Sequence, residues 1–463
     1  MLFNSPIFII YFLPVFLSVY LAVPRKLKNL WALIGSFVFY FWGAPVFALL
    51  VIASGIADFF LSIEISKSKR SKQWLILGVA YNLLTLFIFK YFNFFTENAQ
   101  VLAQSIGLAF PCYMEIALPI GISFFTFQKI SYLVDVYRRD SLRARSLVDY
   151  LLFVLLFPQL IAGPIVRYKE ISFQISDRFA TDNWTNRLSG FYRFILGLAK
   201  KVLIADALAP LVDLSFGDPS IGALQAWFGL LAYAFQIYFD FSGYSDMAIG
   251  LGKMMGFTFP ENFNWPYIAK GFQEFWRRWH MTLSAFMRDY LYIPLGGSQG
   301  TTSRTIINLW LVFLLSGLWH GASWNFVIWG IWHGLFLTVD RFTGIFKKLP
   351  KAFSVGLTFL LVILGWVWFR SETLSESITY FSSLSDFQNF DLMEIKPRQV
   401  YLLSLAGVFA FLPFRVHNQI LSLTVSRNDI WDVFKAVAAV SLLILCLGQM
   451  ALSLGQPFIY FRF

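Results

Sequence analysis

The chain contains 463 residues, of which 58% are hydrophobic and only 14% are charged. Soluble domains usually carry about 25% charged residues, so this composition excludes a soluble protein of this size and predicts a polytopic membrane protein. The net charge of +11 lies mainly in short loops between apolar segments, which indicates membrane topology and argues against a nucleic-acid partner.

The first apolar segment, residues 6–23, has no basic region before it and no clear cleavage site after it. We therefore interpret it as a retained first helix and not as a signal peptide. Basic residues follow it at Arg25, Lys26 and Lys28, and a second basic loop covers residues 67–72. The positive-inside rule places both loops in the cytoplasm and the N-terminus outside.

Further apolar segments recur along the chain. Residues 30–65 are interrupted at Gly43-Ala44-Pro45, which predicts two helices joined by an outer turn. The other segments that predict helices are 73–93, 116–136, 190–216, 221–252, 354–369, 400–414 and 432–452.

Three stretches do not fit a simple span. Residues 147–166 contain Pro158, Gly163 and Pro164 between two basic flanks, which favours a re-entrant segment. Residues 260–300 mix aromatic and basic residues, as in a helix at the cytoplasmic interface or partly inserted. Residues 306–342 are too long for one ordinary helix. With about 20 residues per span, we predict ten or eleven membrane-entering segments in one all-α domain, residues 1–463.

His320 is the first candidate for chemistry. It lies fourteen positions beyond Ile306, roughly 20 Å along the segment if the segment is helical. A polar side chain at that depth is costly and marks a candidate functional site, although a neutral histidine bonded to a neighbouring helix is an equal alternative. Small residues from Ser316 to Ser323, together with Trp319 and Trp324, predict close packing and a cavity around it.

A metal site is not predicted. His320 and His333 both lie in Trp-His-Gly settings, thirteen positions apart, and a continuous helix would place them on different faces. They therefore do not form the i, i+4 pair of zinc peptidases. Cys112 and Cys446 are the only cysteines and suggest neither a disulfide framework nor a zinc site.

A second candidate site is the segment Phe275-Trp276-Arg277-Arg278-Trp279-His280. Arginine suits phosphate because its planar fork bonds two oxygens at once, so the segment could receive an anionic ligand from the cytoplasm. An interfacial anchor built from tryptophan and arginine is an equal alternative.

Acidic residues also occur within apolar segments. Asp240 and Asp246 bracket Tyr244 in Phe239 to Asp246, where a structural role that accepts bonds from neighbouring helices is at least as plausible as catalysis. Gln128, Lys129 and Asp135 in the 116–136 segment favour structure.

Two widespread enzyme signatures are not supported. The string Gly296-Gly297-Ser298-Gln299-Gly300 matches Gly-x-Ser-x-Gly, but it lies in a polar, glycine-rich loop and not between a strand and a helix. The sequence contains no Walker A motif, so it does not indicate ATP-driven transport.

Taken together, the motifs resemble those of the membrane-bound O-acyltransferase (MBOAT) family, closest to its bacterial branch acting in alginate O-acetylation. The resemblance covers essentially the whole chain. The stretches that carry it are Leu118 to Phe125, Phe157-Pro158-Gln159 with Gly163-Pro164-Ile165, Phe239 to Asp246, Phe275 to His280 with Arg288-Asp289-Tyr290, Leu318 to Ala322, and Phe458-Ile459-Tyr460-Phe461.

The resemblance implies a helical bundle with re-entrant and interfacial helices around a thinned core, with a tunnel joining the two faces. It implies that His320 is catalytic and that His280 is the second signature position, where many eukaryotic relatives carry asparagine. Arg277, Arg278 and Arg288, with Trp276 and Trp279, would hold the donor. The remaining tunnel or structural candidates are Asp240, Tyr244, Asp246, Trp319, Trp324 and His333, of which we assign His333 a supporting structural role.

The resemblance further implies O-acetylation of an exported polysaccharide such as alginate, in the bacterial inner membrane. Acetyl-CoA would be the donor, and a periplasmic acetyltransferase or the polymer itself the acceptor. Membrane lipid is a further expected partner. We expect no permanently bound cofactor. The alternatives are D-alanyl or other acyl transfer to a cell-wall polymer, and a transporter without acyl-transfer activity, which would show two related halves with broken helices.

Overall fold

The computed structural model describes residues 1–111, 113–387, 396–411, 429–452 and 458–459. Within these ranges all regular structure is helical, and no strand occurs. The α-helices are, in chain order, Leu13–Ala22 (α1), Lys28–Phe41 (α2), Pro45–Lys67 (α3), Ser71–Leu86 (α4), Phe92–Ser105 (α5), Ile122–Arg138 (α6), Leu147–Leu155 (α7), Phe157–Leu160 (α8), Tyr168–Ser176 (α9), Trp184–Ala199 (α10), Asp206–Gly217 (α11), Ala223–Met254 (α12), Phe272–Trp276 (α13), Met281–Met287 (α14), Thr302–His320 (α15), Trp324–Thr343 (α16), Ile345–Lys348 (α17), Lys351–Arg370 (α18), Leu374–Ser383 (α19), Pro397–Phe411 (α20) and Asp429–Leu452 (α21).

Several helices are extended by turns of a different pitch. Wider π-helical turns precede α1, connect α4 to α5 and α10 to α11, and follow α14. These π turns cover Ile7–Phe12, Phe87–Tyr91, Lys200–Ala205 and Arg288–Tyr292, and the short 3₁₀ turns cover Arg25–Leu27 and Pro266–Ile268. The π turns interrupt the regular hydrogen-bond pattern of an α-helix. Turns of this kind occur frequently at functional sites.

Five helices of the described residues are long and apolar enough to cross a membrane. They are Pro45–Lys67, Ser71–Ser105, Thr302–His320, Lys351–Arg370 and Val433–Leu452. The prediction of an all-α polytopic membrane protein is confirmed. The other predicted segments form helices that are shorter or less apolar, such as Ile7–Ala22, so the total of ten or eleven stays a prediction.

The predicted break in the segment 30–65 lies where the sequence indicated it, and the segment 306–342, which is too long for one ordinary helix, is also divided. The segment 30–65 divides into α2 and α3 around Gly43, and the segment 306–342 divides into α15 and α16 at residues 321–323. Residues 147–166 form two short helices, of which the longer has nine residues. At about 1.5 Å per residue, nine residues do not cross a bilayer, and a re-entrant path stays our prediction.

Residues 260–300 do not form the single helix that the sequence suggested, and their position at the cytoplasmic interface or partly inserted stays a prediction. Two short helices, α13 and α14, flank a turn at Arg277-Arg278, and the next two side chains are buried, Trp279 at 1% exposure and His280 at 0%. The aromatic residues of this stretch therefore pack into the protein, while the arginines face outward.

Glycine pairs allow helices α10 and α12 to pack with their backbones in direct contact. A Cβ atom on Gly190 would lie 2.5 Å from the carbonyl oxygen of Gly250, and one on Gly197 would lie 2.5 Å from that of Gly243. Small residues permit such close approach of membrane helices. This rigid pair carries the Phe239 to Asp246 motif next to the candidate site.

The helices α15 and α16, which carry two of the histidines, are packed equally closely. A Cβ atom on Gly317 would lie 2.2 Å from the carbonyl oxygen of Phe326, and one on Gly330 would lie 2.5 Å from that of Phe313. The sequence predicted close packing by the small residues around His320. In the structure, this packing is a direct contact between the two helix backbones, one turn before that histidine.

Candidate active site

His320 is the last residue of α15, and its side chain is buried at 4% exposure. The helix ends there because Gly321 is extended, with φ −162° and ψ 149°. Aromatic rings enclose the imidazole: its centroid lies 5.0 Å from that of Trp329 and 5.2 Å from that of Phe369. A Cβ atom on Gly321 would lie 2.0 Å from the Phe326 ring, so only glycine fits beside this histidine.

A cavity of about 160 Å³ adjoins His320. Its wall combines this histidine and Trp319 with residues of the α6 region and one cationic side chain. The lining residues are Lys90, Leu118, Pro119, Ile120, Gly121, Ile122, Ser123, Phe124, Ile161, Trp319 and His320. The cavity is smaller than the roughly 300 to 1,000 Å³ of pockets that hold drug-sized ligands, and its size suits a small chemical group.

His280 is held by a polar network inside the core. Its Nδ1 lies 3.0 Å from Oδ1 of Asn262, an oxygen that also accepts the hydroxyl of Thr282 at 2.9 Å. The Asn262 amide nitrogen donates to Ser245 Oγ at 3.0 Å, which fixes the orientation of the amide. Because Oδ1 can only accept, His280 carries its proton on Nδ1 in the neutral state. Its Nε2 has no hydrogen-bond partner among the described residues.

The backbone of His280 adopts an uncommon conformation. Its φ of 42° and ψ of 55° are in the left-handed region, which non-glycine residues rarely occupy. Such conformations persist where the surrounding structure requires them, and they cluster at functional sites. The geometry directs a buried, proton-accepting nitrogen from the start of α14 into the core.

Trp319 lies between the two histidines. Its ring centroid is 5.0 Å from that of His320 and 6.1 Å from that of His280. On its other side it stacks on Phe127 at 5.4 Å with an interplanar angle of 19°. The structure thus brings together His280, Trp319 and His320, which are separated by up to 40 positions in the sequence.

His333 is placed differently from what the sequence suggested. It lies on α16, beyond the break at residues 321–323, so His320 and His333 belong to two helices and not to two faces of one continuous helix. The ring centroid of Trp329 lies 5.0 Å from that of His320 and 4.7 Å from that of His333. His333 is fully buried among aromatic rings, which favours packing. No group of three or more potential metal ligands occurs within the described ranges.

The three arginines proposed for the donor differ in their surroundings. Arg278 pairs with Glu274 at 2.7 Å, and Arg288 pairs with Asp289 at 2.7 Å. Arg277 is exposed and makes no ion pair within the part of the chain that the structure describes. Of the three, it is therefore the exposed arginine whose charge no described carboxylate neutralises, which leaves it open to a phosphate.

Asp289 connects two arginines outside the candidate spans. It contacts the guanidinium groups of Arg167 and Arg288. Burial alone would raise the pKa of its carboxyl, but the hydrogen bond from Arg288 and the nearby positive charges hold that pKa below its usual value. The carboxylate therefore stays ionised at neutral pH and keeps Arg288 partly neutralised.

The two tryptophans proposed beside the donor face the core. Trp279 is 1% exposed and lies 4.9 Å from Trp366. The ring centroid of Trp276 lies 5.1 Å from that of His333 and 5.8 Å from that of Trp329. Their positions favour a packing role over a direct contact with a donor at the surface.

The acidic residues of the Phe239 to Asp246 motif form ion pairs. Asp246 binds Arg193 at 2.8 Å and Lys200 at 2.6 Å, while Asp240 binds Lys201 at 2.6 Å and accepts the backbone N–H of Ile459 at 2.7 Å. These contacts support the structural alternative.

Aromatic candidates at the edge of this region also have packing partners. Tyr244 stacks on Phe3 at 4.8 Å and on Phe458 at 4.6 Å. Trp324 is half exposed and donates to Asn98 Oδ1 at 2.9 Å. Tyr460 and Phe461 of the C-terminal motif are outside the described residues.

The polar residues of the 116–136 segment also have structural partners. Lys129 pairs with buried Asp58 at 3.1 Å, and Asp135 accepts the hydroxyl of Tyr290 at 2.6 Å. Our preference for structural roles here agrees with these contacts.

Two polar residues of the site escaped the sequence prediction. Asn262 orients His280, but nothing in the local sequence distinguishes it from other asparagines in loops. Lys90 lies on the cavity wall beside His320. A lysine within the apolar segment 73–93 is a signal of the same kind as His320 and could have been found by the same criterion of depth.

Comparisons with known proteins agree with this architecture. The family profile described as membrane-bound O-acyltransferase (MBOAT) matches residues 84–354, a range that contains the three buried histidines. The chain is 45% identical over 404 residues to a Pseudomonas aeruginosa protein named "Probable alginate O-acetylase AlgI", covering 85% of this chain and 77% of that protein.

Two further relatives carry other names. The chain is 40% identical over 418 residues to the peptidoglycan O-acetyltransferase of Helicobacter pylori, covering 82% of this chain and 78% of that protein. It is 30% identical over 285 residues to the teichoic acid D-alanyltransferase of Streptococcus thermophilus, covering 54% and 68%. The resemblance found in the sequence motifs is confirmed: this chain belongs to the membrane-bound O-acyltransferase family and is an acyltransferase of the membrane.

Proposed function

We propose that this acyltransferase moves an acetyl group from cytoplasmic acetyl-CoA to the O-acetylation of an exported polysaccharide such as alginate, with His320 as general base. The observation that carries the proposal is the position of His320: it is a buried histidine on the wall of a small cavity at a helix end. Family membership favours the enzyme over the transporter alternative.

The proposed reaction needs one base. His320 takes the proton of the acceptor hydroxyl while the hydroxyl oxygen attacks the thioester carbonyl carbon. The C–S bond then breaks, the new ester keeps the acyl group, and the imidazolium returns its proton to the departing thiolate. Histidine suits this cycle because its unperturbed pKa of about 6.5 allows it both to accept and to donate a proton near neutrality.

We assign His280 a supporting role in proton transfer. Its Nδ1 proton is held by Asn262, so Nε2 is the atom that can accept a proton. The Trp319 ring separates it from His320 and keeps the two imidazoles in fixed positions. A second base in the core supports a reaction in which donor and acceptor approach from different sides.

Two observations favour acetyl transfer over transfer of a D-alanyl group. The cavity of about 160 Å³ suits a two-carbon acyl group. The relatives named as O-acetylating enzymes also align with 82% or more of this chain, whereas the D-alanyltransferase aligns with 54%. The polymer that receives the group follows from the relatives' names alone, and a periplasmic acetyltransferase that would pass it on stays a proposal based on the family resemblance.

For the donor, we propose that Arg277 contacts a phosphate of acetyl-CoA. Arg278 and Arg288 would complete a basic surface when donor phosphates replace the carboxylates that pair with them. We further propose that this surface faces the cytoplasm and that the N-terminus is outside, in the bacterial inner membrane, which the basic loops support. Residues 1–463 would act as a single membrane domain.

The proposal can be tested with purified protein in liposomes, supplied with acetyl-CoA labelled in the acetyl group. We expect release of free CoA and label on an added uronate polymer or on a periplasmic acetyltransferase. A parallel reaction with carrier-bound D-alanine should give no transfer. Transfer of D-alanine without transfer of acetyl would contradict the proposal.

A further inference from the structure

The carbonyl groups at the end of α15 receive their hydrogen bonds from a distant part of the chain. A helix leaves its last carbonyl oxygens without partners inside the helix. Here Gly321 N–H serves the oxygen of Gly317 at 3.3 Å, and the extended backbone after His320 offers no further helical donors. The three oxygens that remain belong to Leu318, Trp319 and His320.

Two adjacent side chains serve all three of these oxygens. The Tyr91 hydroxyl donates to the carbonyl of Leu318 at 2.9 Å. The Lys90 ammonium donates to the carbonyl of Trp319 at 2.6 Å and to that of His320 at 3.1 Å. Both donors belong to the π-helical turn Phe87–Tyr91 between α4 and α5, and such turns recur at functional sites.

The chemistry of Lys90 fits this position. A cation is favourable at a helix C-terminus because the helix dipole is negative there. No carboxylate within the described ranges pairs with this lysine, and its third partner is Ser123 Oγ at 3.2 Å, at the start of α6. An ammonium has three protons, and three acceptors use them, so Lys90 is committed to the protein and not to a substrate.

We propose that Lys90 and Tyr91 are positioning residues, which fix the end of α15 and thereby the imidazole of His320 on the cavity wall. This inference rests on the proposed role of His320 as base. The two side chains replace the missing helical donors over the last three residues, so the backbone that carries the histidine is held from outside its own helix. Their effect on catalysis passes through His320.

The test uses full-length protein and the acetyl-transfer assay, with activity expressed per folded molecule. Misplacement of a reacting group by about 1 Å costs on the order of 100-fold in rate, so we expect Lys90→Met to lower kcat about 10- to 100-fold while the KM for acetyl-CoA is unchanged. Lys90→Arg keeps the positive charge and offers N–H donors to the same carbonyl oxygens, so we expect it to retain part of kcat. Tyr91→Phe removes one hydrogen bond and should lower kcat about fivefold.

The control is Lys69→Met, the same chemical change at an exposed lysine in the α3–α4 loop, and it should leave kcat unchanged. If Lys90→Met does not fold, Tyr91→Phe and Lys90→Arg decide the question. A lower unfolding temperature with normal kcat in both Lys90→Met and Tyr91→Phe would overturn the inference, because it would reveal a purely structural cap.

His320→Ala, measured alongside, separates the two proposals. Loss of activity in His320→Ala with normal kcat in the Lys90 and Tyr91 variants would overturn the positioning role and leave the base in place. Full activity of His320→Ala would overturn both.

Discussion

Substitution of Gly317 by alanine should disturb the site without touching any group that reacts. The new Cβ atom would lie 2.2 Å from the carbonyl oxygen of Phe326, and ordinary contact begins at 3.4 Å. The two helices must therefore separate by about 1.2 Å at this crossing. Gly317 lies one turn before His320, and Phe326 borders the same imidazole, so the separation is transmitted to the site.

The expected effect has two parts. Overpacking of this kind costs about 1 to 3 kcal/mol of stability, and a displacement of about 1 Å at a reacting group costs on the order of 100-fold in rate. We expect Gly317→Ala to lower both the unfolding temperature and kcat. The assay is acetyl transfer by purified protein, normalised to the folded fraction.

The matched control is Gly356→Ala on α18, because apart from the adjoining residues and backbone of its own helix no described atom lies within 4 Å of the Cβ position there. Replacing a helical glycine with alanine at an open position is expected to stabilise by about 0.5 to 1 kcal/mol, with normal kcat. If Gly317→Ala behaves like Gly356→Ala in both measurements, the claim that close helix packing positions His320 is refuted.

Three further predictions follow from the site. Asn262→Ala removes the acceptor of the His280 Nδ1 proton and leaves it buried without a partner, so kcat should fall about tenfold, whereas normal kcat would exclude a contribution of this hydrogen bond to catalysis. Arg277→Ala should raise the KM for acetyl-CoA about tenfold with little change in kcat, and an unchanged KM would remove this arginine from the donor site. Asp289→Asn should lower the unfolding temperature at pH 7. Because the folded-state pKa of Asp289 is below the unfolded value of about 3.9, its stabilising contribution is present above the unfolded pKa and is lost as the pH falls through the folded pKa. The difference from wild type should therefore narrow steadily once the pH is below about 4, and a difference that stays constant through this acid range would contradict this.

The sequence predicted the surroundings of His320 well because local rules govern them. The apolar segment 306–342 is too long for one ordinary helix, and the structure divides it directly after His320. Small residues before the histidine predict close packing, and Gly317 provides it. Burial of the side chain followed from its distance along the helix.

The partners of the site residues could not be predicted, since they come from distant parts of the chain. Lys90 reaches a carbonyl 230 positions away, and Asn262 reaches His280 across a turn with no regular periodicity. The positions of Trp276 and Trp279 were also not predictable: a tryptophan beside arginines can lie at an interface or in a core, and the two short helices turn both rings inward. The position of the break within residues 306–342 was likewise not predictable, and because it lies at residues 321–323, His320 and His333 belong to two helices and a comparison of faces on one helix does not apply.

Acetyl transfer by His320→Ala tests the central claim most directly. Leu315→Ala, on the exposed side of the same helix, serves as control for truncation of a side chain. General base catalysis contributes about 10²- to 10⁴-fold, so release of CoA and labelling of the acceptor should both fall at least 100-fold in folded His320→Ala and stay normal in Leu315→Ala. Acetyl transfer at the wild-type rate by His320→Ala would contradict the account.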